Sequence, residues 1–196
     1  MTATGTPASP DSTPQTIVIG VGTDLRGDDG FGAAVLDGLR TRPGLTAYAQ
    51  LAVCDGEPAR LIDLWRGYRH ALIVDAVRGG GERYGFVYRR DLTAMIGAGE
   101  SRTEPRGNSH AAGLGAAVRL GQVLDRLPGR LILYAVHGRD FRLGVPLSDP
   151  VATAVPELVN RIAREILGVL SAAPDSARAR SAGRPAPGAE SIAHRG

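Results

Sequence analysis

The chain has a single cysteine, no lysine and no long apolar run. Each shortage excludes something. One cysteine, Cys54, cannot form an intramolecular disulfide framework or a cysteine-based zinc cage. No stretch approaches the roughly 18 apolar residues of a membrane-spanning helix. The N-terminal residues lack a basic region followed by an apolar core, so no secretory signal is expected. These shortages together suggest a cytoplasmic protein. All 23 basic residues are arginine, which reads as a coding bias without functional meaning. The isoelectric point near 9.5 suggests a nucleic-acid partner, but the charge distribution opposes one. The formal net charge is +3, and 172–196 carries four Arg against Asp175 and Glu190, so +2 of it lies there. The remainder is near neutral with no basic stripe.

What is present is an ordinary globular composition, 43% hydrophobic over 196 residues, enough for one domain with a sizeable core. Residues 1–15 are small and polar and read as a disordered leader. Residues 172–196, rich in Ala, Arg and Pro, read as a disordered tail. Between them, 16–171 forms the predicted single domain. Ile17-Val18-Ile19 predicts a buried strand, and Gly20 and Gly22 a tight turn after it. A helix face follows in Phe31, Val35, Leu36 and Leu39. A second strand is expected from Leu45 to Cys54. Pro58 opens a helix with Leu61, Leu64 and Trp65 on one face. Ala71 to Val74 predicts a third strand, ending on Asp75. A Gly79-Gly80-Gly81 turn leads to an aromatic edge strand over Tyr84 to Tyr88, and Asp91 to a short capped helix. Gly97 to Asn108 reads as a polar, mobile loop. Ser109 is expected to cap a helix with Leu114, Ala117, Val118 and Leu124 inward. Leu131 to Val136 predicts the next strand, and Asp149-Pro150 a last helix that Pro156 should kink or start. Strands alternating with helices predict an α/β protein with a mostly parallel sheet between two helical layers.

Three ionisable groups fall at equivalent places in this plan. Asp29 starts the first helix, Asp75 ends a strand and His110 follows a helix cap. Right-handed crossovers bring all three to the carboxyl rim of the sheet, where open α/β sheets bind ligands. A helix N-terminus favours an ionised Asp29 and a neutral His110 imidazole. Two carboxylates and an imidazole suit a divalent first-row metal, without choosing among zinc, nickel, manganese and iron. Asp28 reads as a helix cap, Cys54 as a small buried hydrophobe. His137, after the last strand, carries a weaker signal. The Gly20-Val-Gly22 turn does not continue as a dinucleotide fingerprint, because position 25 is leucine and Asp28 and Asp29 would repel a pyrophosphate. No Lys-Ser or Lys-Thr follows Gly27, which removes a P-loop.

The stretch Ile17 to Gly32 resembles the N-terminal signature of the nickel-iron hydrogenase maturation endopeptidases, Gly-x-Gly-Asn-x-x-x-x-Asp-Asp/Glu-Gly-x-Gly. The similarity continues through Asp55-Gly56, Ile73-Val74-Asp75-Ala76, Asn108-Ser109-His110 with Gly113-Leu114, and Leu147-Ser148, covering about Thr16 to Leu170. The resemblance implies a three-layer α/β/α fold with a five-stranded sheet. It implies that Asp29, Asp75 and His110 contact nickel, and that the nickel arrives with the substrate, the hydrogenase large-subunit precursor, whose C-terminal extension is removed. The chain departs from the family pattern at Thr23, usually Asn, at Asp55-Gly56-Glu57-Pro58 and at Val136-His137-Gly138-Arg139, which suggests a divergent subgroup. A non-catalytic chaperone of the metallated large subunit and a conventional metallohydrolase owning its metal are the alternative readings.

Overall fold

Unbroken β-branched runs produce strands buried on both faces. β1 (Thr16–Val21) is buried at every residue, as a central strand between two layers must be. A computed structural model of the chain describes residues 15–78, 83–98 and 109–171. The leader, the tail, the Gly79-Gly80-Gly81 turn and most of the Gly97 to Asn108 loop lie outside the described residues. β2 (Ala49–Cys54), β1, β3 (His70–Arg78) and β5 (Arg130–Gly138) are parallel, and β4 (Val87–Asp91) runs antiparallel on the edge beside β5. The sheet order is β2-β1-β3-β5-β4.

The two faces bury separate cores. On one, Val18, Leu72, Val74, Ile132 and Tyr134 meet α1 (Phe31–Arg40) and α5 (Asp149–Ser171). On the other, Ile17, Ile19, Ile73, Leu131 and Leu133 meet α2 (Pro58–Trp65), α3 (Leu92–Gly97) and α4 (Ser109–Val123). Each fully buried Leu or Ile contributes about 1.5–3 kcal/mol. This is the three-layer α/β/α fold with a five-stranded sheet. Among the described residues, no helix is long and apolar enough to cross a membrane.

Several expectations shift. The Leu45 end of the second strand is a short 3-10 turn, Leu45–Ala47, and pairing begins at Ala49. β3 continues three residues past Asp75, because β5 pairs with it as far as Arg78 and Gly138. The aromatic edge strand starts at Val87 rather than Tyr84, since Gly85 turns there at φ 80°. Leu124 is exposed rather than inward, lying beyond the end of α4. α4 begins at Ser109 itself, so Ser109 is its first residue and the preceding position lies outside the described residues. α5 is continuous across Pro156, so the proline does not start it. Pro156 is exposed, and the carbonyl it leaves without a helical donor, that of Ala152, is on an exposed residue where water can serve it. One capping expectation holds, and one cap is new. Asp91 accepts from the Ala94 N–H, and Glu57 adds a cap to the Pro58 helix by accepting from Ala59 and Arg60.

Candidate active site

The register of the strands defines the site. Val21 and Cys54, the last residues of β1 and β2, pair with each other, and Gly20 pairs with Val74. Asp75 therefore stands level with the ends of β1 and β2, while β3 and β5 project beyond. From β1 the chain goes outward to β2 and then back across to β3, so the crevice between β1 and β3 is the topological switch point. Asp29 follows β1 and Asp75 sits on β3, one on each side of it.

Asp29 does not lie in α1 but in a 3-10 turn just before it, Gly27–Gly30. It is 5% exposed, and its Oδ2 accepts from the Thr23 N–H at 2.9 Å. Gly22 makes this possible. Its φ is 116°, and a Cβ there would stand 2.2 Å from the Asp29 carbonyl oxygen, so only glycine lets the strand exit press against the acidic turn. Asp75 is 1% exposed and its Oδ1 accepts from the Ala76 N–H at 2.8 Å. Two nearly buried carboxylates thus flank the switch point.

His110 lies in the first turn of α4. That end of the helix rests on the rim: a Cβ on Gly113 would stand 2.3 Å from the Gly56 carbonyl oxygen, in the connection from β2 to α2. The His110 side chain is outside the described residues. Among the described residues, no group of three or more His, Cys, Asp and Glu converges as a metal cluster.

Tyr88, near Asp75, and His137, beside Tyr88, carry little signal in the sequence. Tyr88 pairs with Ala135, which also pairs with Asp75. Burial pushes the Tyr88 phenol above its ordinary range; Arg90 opposes this and the Asp75 charge adds to it. His137, two residues beyond Ala135, lies 5.4 Å from the Tyr88 ring and stacks on Phe86 at 6.2 Å. The sequence trace of Tyr88 is the alternation Tyr84, Phe86, Tyr88, and that of His137 is its weaker signal near the end of the last strand.

Asp28 is neither cap nor rim ligand. It is fully buried, and its carboxylate accepts from the Arg139, Asp140 and Ser148 N–H groups at 2.6, 2.8 and 2.7 Å and from the Ser148 hydroxyl at 2.9 Å. It ties the segment after β5 to the turn after β1. Cys54 is buried, and burial raises its thiol pKa despite a backbone hydrogen bond with Gly56 that acts the other way. A protonated thiol is a poor nucleophile, consistent with the reading of Cys54 as a small hydrophobe.

The fold and rim define an open α/β protein with an acidic site at its switch point. The family model HycI, hydrogenase maturation protease, matches residues 44–165. The chain belongs to the hydrogenase maturation protease family, a family of endopeptidases. No curated protein matches the sequence. Among solved structures, it is similar to the hydrogenase maturating endopeptidase HybD from E. coli (TM-score 0.66, 16% identity, 79% of this chain and 93% of that one). It is similar to a hydrogenase 2 maturation peptidase from Thaumarchaeota archaeon SCGC_AB-539-E09 (TM-score 0.56, 26% identity, 79% and 98% coverage). It is also similar to the [NiFe] hydrogenase maturation protease HybD from Thermococcus kodakarensis (TM-score 0.57, 21% identity, 77% and 98% coverage).

Proposed function

We propose that this protease removes the C-terminal extension of a nickel-iron hydrogenase large-subunit precursor after nickel insertion, in the cytoplasm, and that Asp29, Asp75 and His110 recognise the nickel. The observation that carries the reading is the pair of nearly buried carboxylates on the two sides of the β1/β3 switch point. Two ionised carboxylates match a divalent cation in charge, and a neutral imidazole from the first turn of α4 adds the one nitrogen donor of the trio. The nickel belongs to the substrate. Docked on these residues, it holds the adjacent peptide bond at the rim. Water then adds through its oxygen to the scissile carbonyl carbon, the C–N bond breaks, and the proton given up by the water goes to the leaving amine. Asp29 and Asp75 bind and orient in this scheme. The aromatic pair Tyr88 and His137 lines the neighbouring surface.

The deciding experiment is incubation with nickel-loaded precursor followed by intact mass measurement of the large subunit. Loss of the C-terminal extension, absent with nickel-free precursor, is the expected result. An unchanged mass in both arms overturns the reading, and cleavage of both forms equally overturns the recognition of nickel.

A further inference from the structure

The rim carries two large apolar side chains that the fold leaves in water. Leu25 is 64% exposed and Leu143 is 69% exposed. Leu25 lies in the turn that leads to Asp29, and Leu143 in the segment after β5. The two segments are bound together: the Gly144 N–H donates to the Leu25 carbonyl at 2.8 Å, and the Gly27 N–H to the Val145 carbonyl at 3.1 Å. The Asp28 carboxylate adds four further bonds between the same segments. Phe141, two residues before Leu143, is turned into the core, with the Arg78 guanidinium over its ring at 4.4 Å. The segment is therefore anchored from inside while Leu143 is held outward. The loops leave β1 and β5, whose shared neighbour in the sheet is β3, so they join across the strand that carries Asp75.

We infer that Leu25 and Leu143 form a preformed apolar docking point for the protein substrate, engaging an apolar surface of the folded large-subunit precursor beside its C-terminal extension. The inference rests on the proposed function. The hydrogen bonds between the two loops hold the leucine backbones in place before binding, which lowers the ordering cost, and an apolar pair continuous with the Asp29 turn fits a protein partner that must also present a metal there. Contact with this point gives uniform binding, so it acts on KM and leaves the chemical step alone.

The test uses the full chain and nickel-loaded precursor, with steady-state cleavage read by mass. Leu25→Ser and Leu143→Ser should each raise KM about tenfold, and the double variant more, with kcat unchanged. Melting temperatures should stay at the wild-type value, because both side chains are already in water. Leu143→Met, which keeps the apolar area, should retain the wild-type KM. Leu167→Ser is the control. Leu167 is also exposed but lies on α5 roughly 27 Å from its rim end, and its KM should not change. A double variant with wild-type KM overturns the docking assignment, as does a fall in kcat at constant KM. A wild-type chain that leaves the nickel-loaded precursor uncut overturns the proposed function and the docking point with it, an outcome separate from active wild type with indifferent variants.

Discussion

Asp28 offers the sharpest test of how the site is built. Its two oxygens are used unequally. Oδ2 receives the Arg139 and Asp140 N–H groups and the Ser148 hydroxyl, and Oδ1 receives the Ser148 N–H. Asp28→Ala strands three backbone donors and one hydroxyl. An unsatisfied buried donor costs about 1–3 kcal/mol, but the segment they belong to is partly exposed at Arg142, Leu143 and Gly144. Water can reach it after a small shift, so the low end applies to each backbone donor and the total is about 3–4 kcal/mol. Asp28→Asn can keep its oxygen at the Oδ2 position, but its amide then faces the Ser148 N–H across 2.7 Å, donor against donor, at a cost of about 2 kcal/mol. Ser148→Ala loses one hydroxyl bond, about 1 kcal/mol. Urea unfolding should rank the variants in that order with unchanged m, and thermal scans should place Asp28→Ala about 10 °C below wild type. If Asp28→Asn matches wild type, or Ser148→Ala costs more than Asp28→Ala, the carboxylate is not what joins the two segments.

Four further outcomes are expected. Gly113→Ala should destabilise the fold and impair processing although alanine is the better helix former, because its Cβ meets the Gly56 carbonyl; Gly168→Ala on α5, where an added Cβ meets nothing within 4 Å among the described residues, should instead stabilise by up to about 1 kcal/mol in the same urea titrations. Burial pushes the Glu165 carboxyl up, but the Arg89 guanidinium at 2.8 Å and the Tyr134 hydroxyl more than offset this and leave it below its ordinary 4.5. That depressed value stabilises the fold above about pH 4.5 and is lost as pH falls through it, so unfolding titrations from pH 6 to 3 should show a shallower acid loss for Glu165→Gln than for wild type. His110→Ala should melt normally yet leave nickel-loaded precursor uncut, whereas Ser109→Ala should retain cleavage. Metal analysis of resting protein after mild chelation should find little metal if, as proposed, the ion comes with the substrate; stoichiometric zinc surviving the chelator would support the conventional metallohydrolase.

Local signals carried the sequence reading far where the determinant is local. Pro58 and the pattern Leu61, Leu64, Trp65 suffice to locate α2, and an apolar run that contains one carboxylate marks Asp75 as a rim residue. Elements whose limits depend on a distant partner were misjudged. β3 outlasts Asp75 only because β5 accompanies it, and β4 starts late because the Gly85 and Phe86 backbones first bond to His137. The adjacent acids Asp28 and Asp29 show why a motif locates a site more readily than it divides labour within it. In a 3-10 turn successive side chains diverge by about 120°. One carboxylate therefore faces the segment after β5, whose donors lie 111 to 120 residues away, and the other faces Gly22 and Thr23 beside the switch point. Nothing within the run Gly27 to Gly30 reveals which is which. The proposed division follows once the segment after β5 brings its donors to Asp28, because a carboxylate holding three backbone N–H groups and one hydroxyl has little capacity left for a metal, which leaves Asp29 for the proposed role at the crevice.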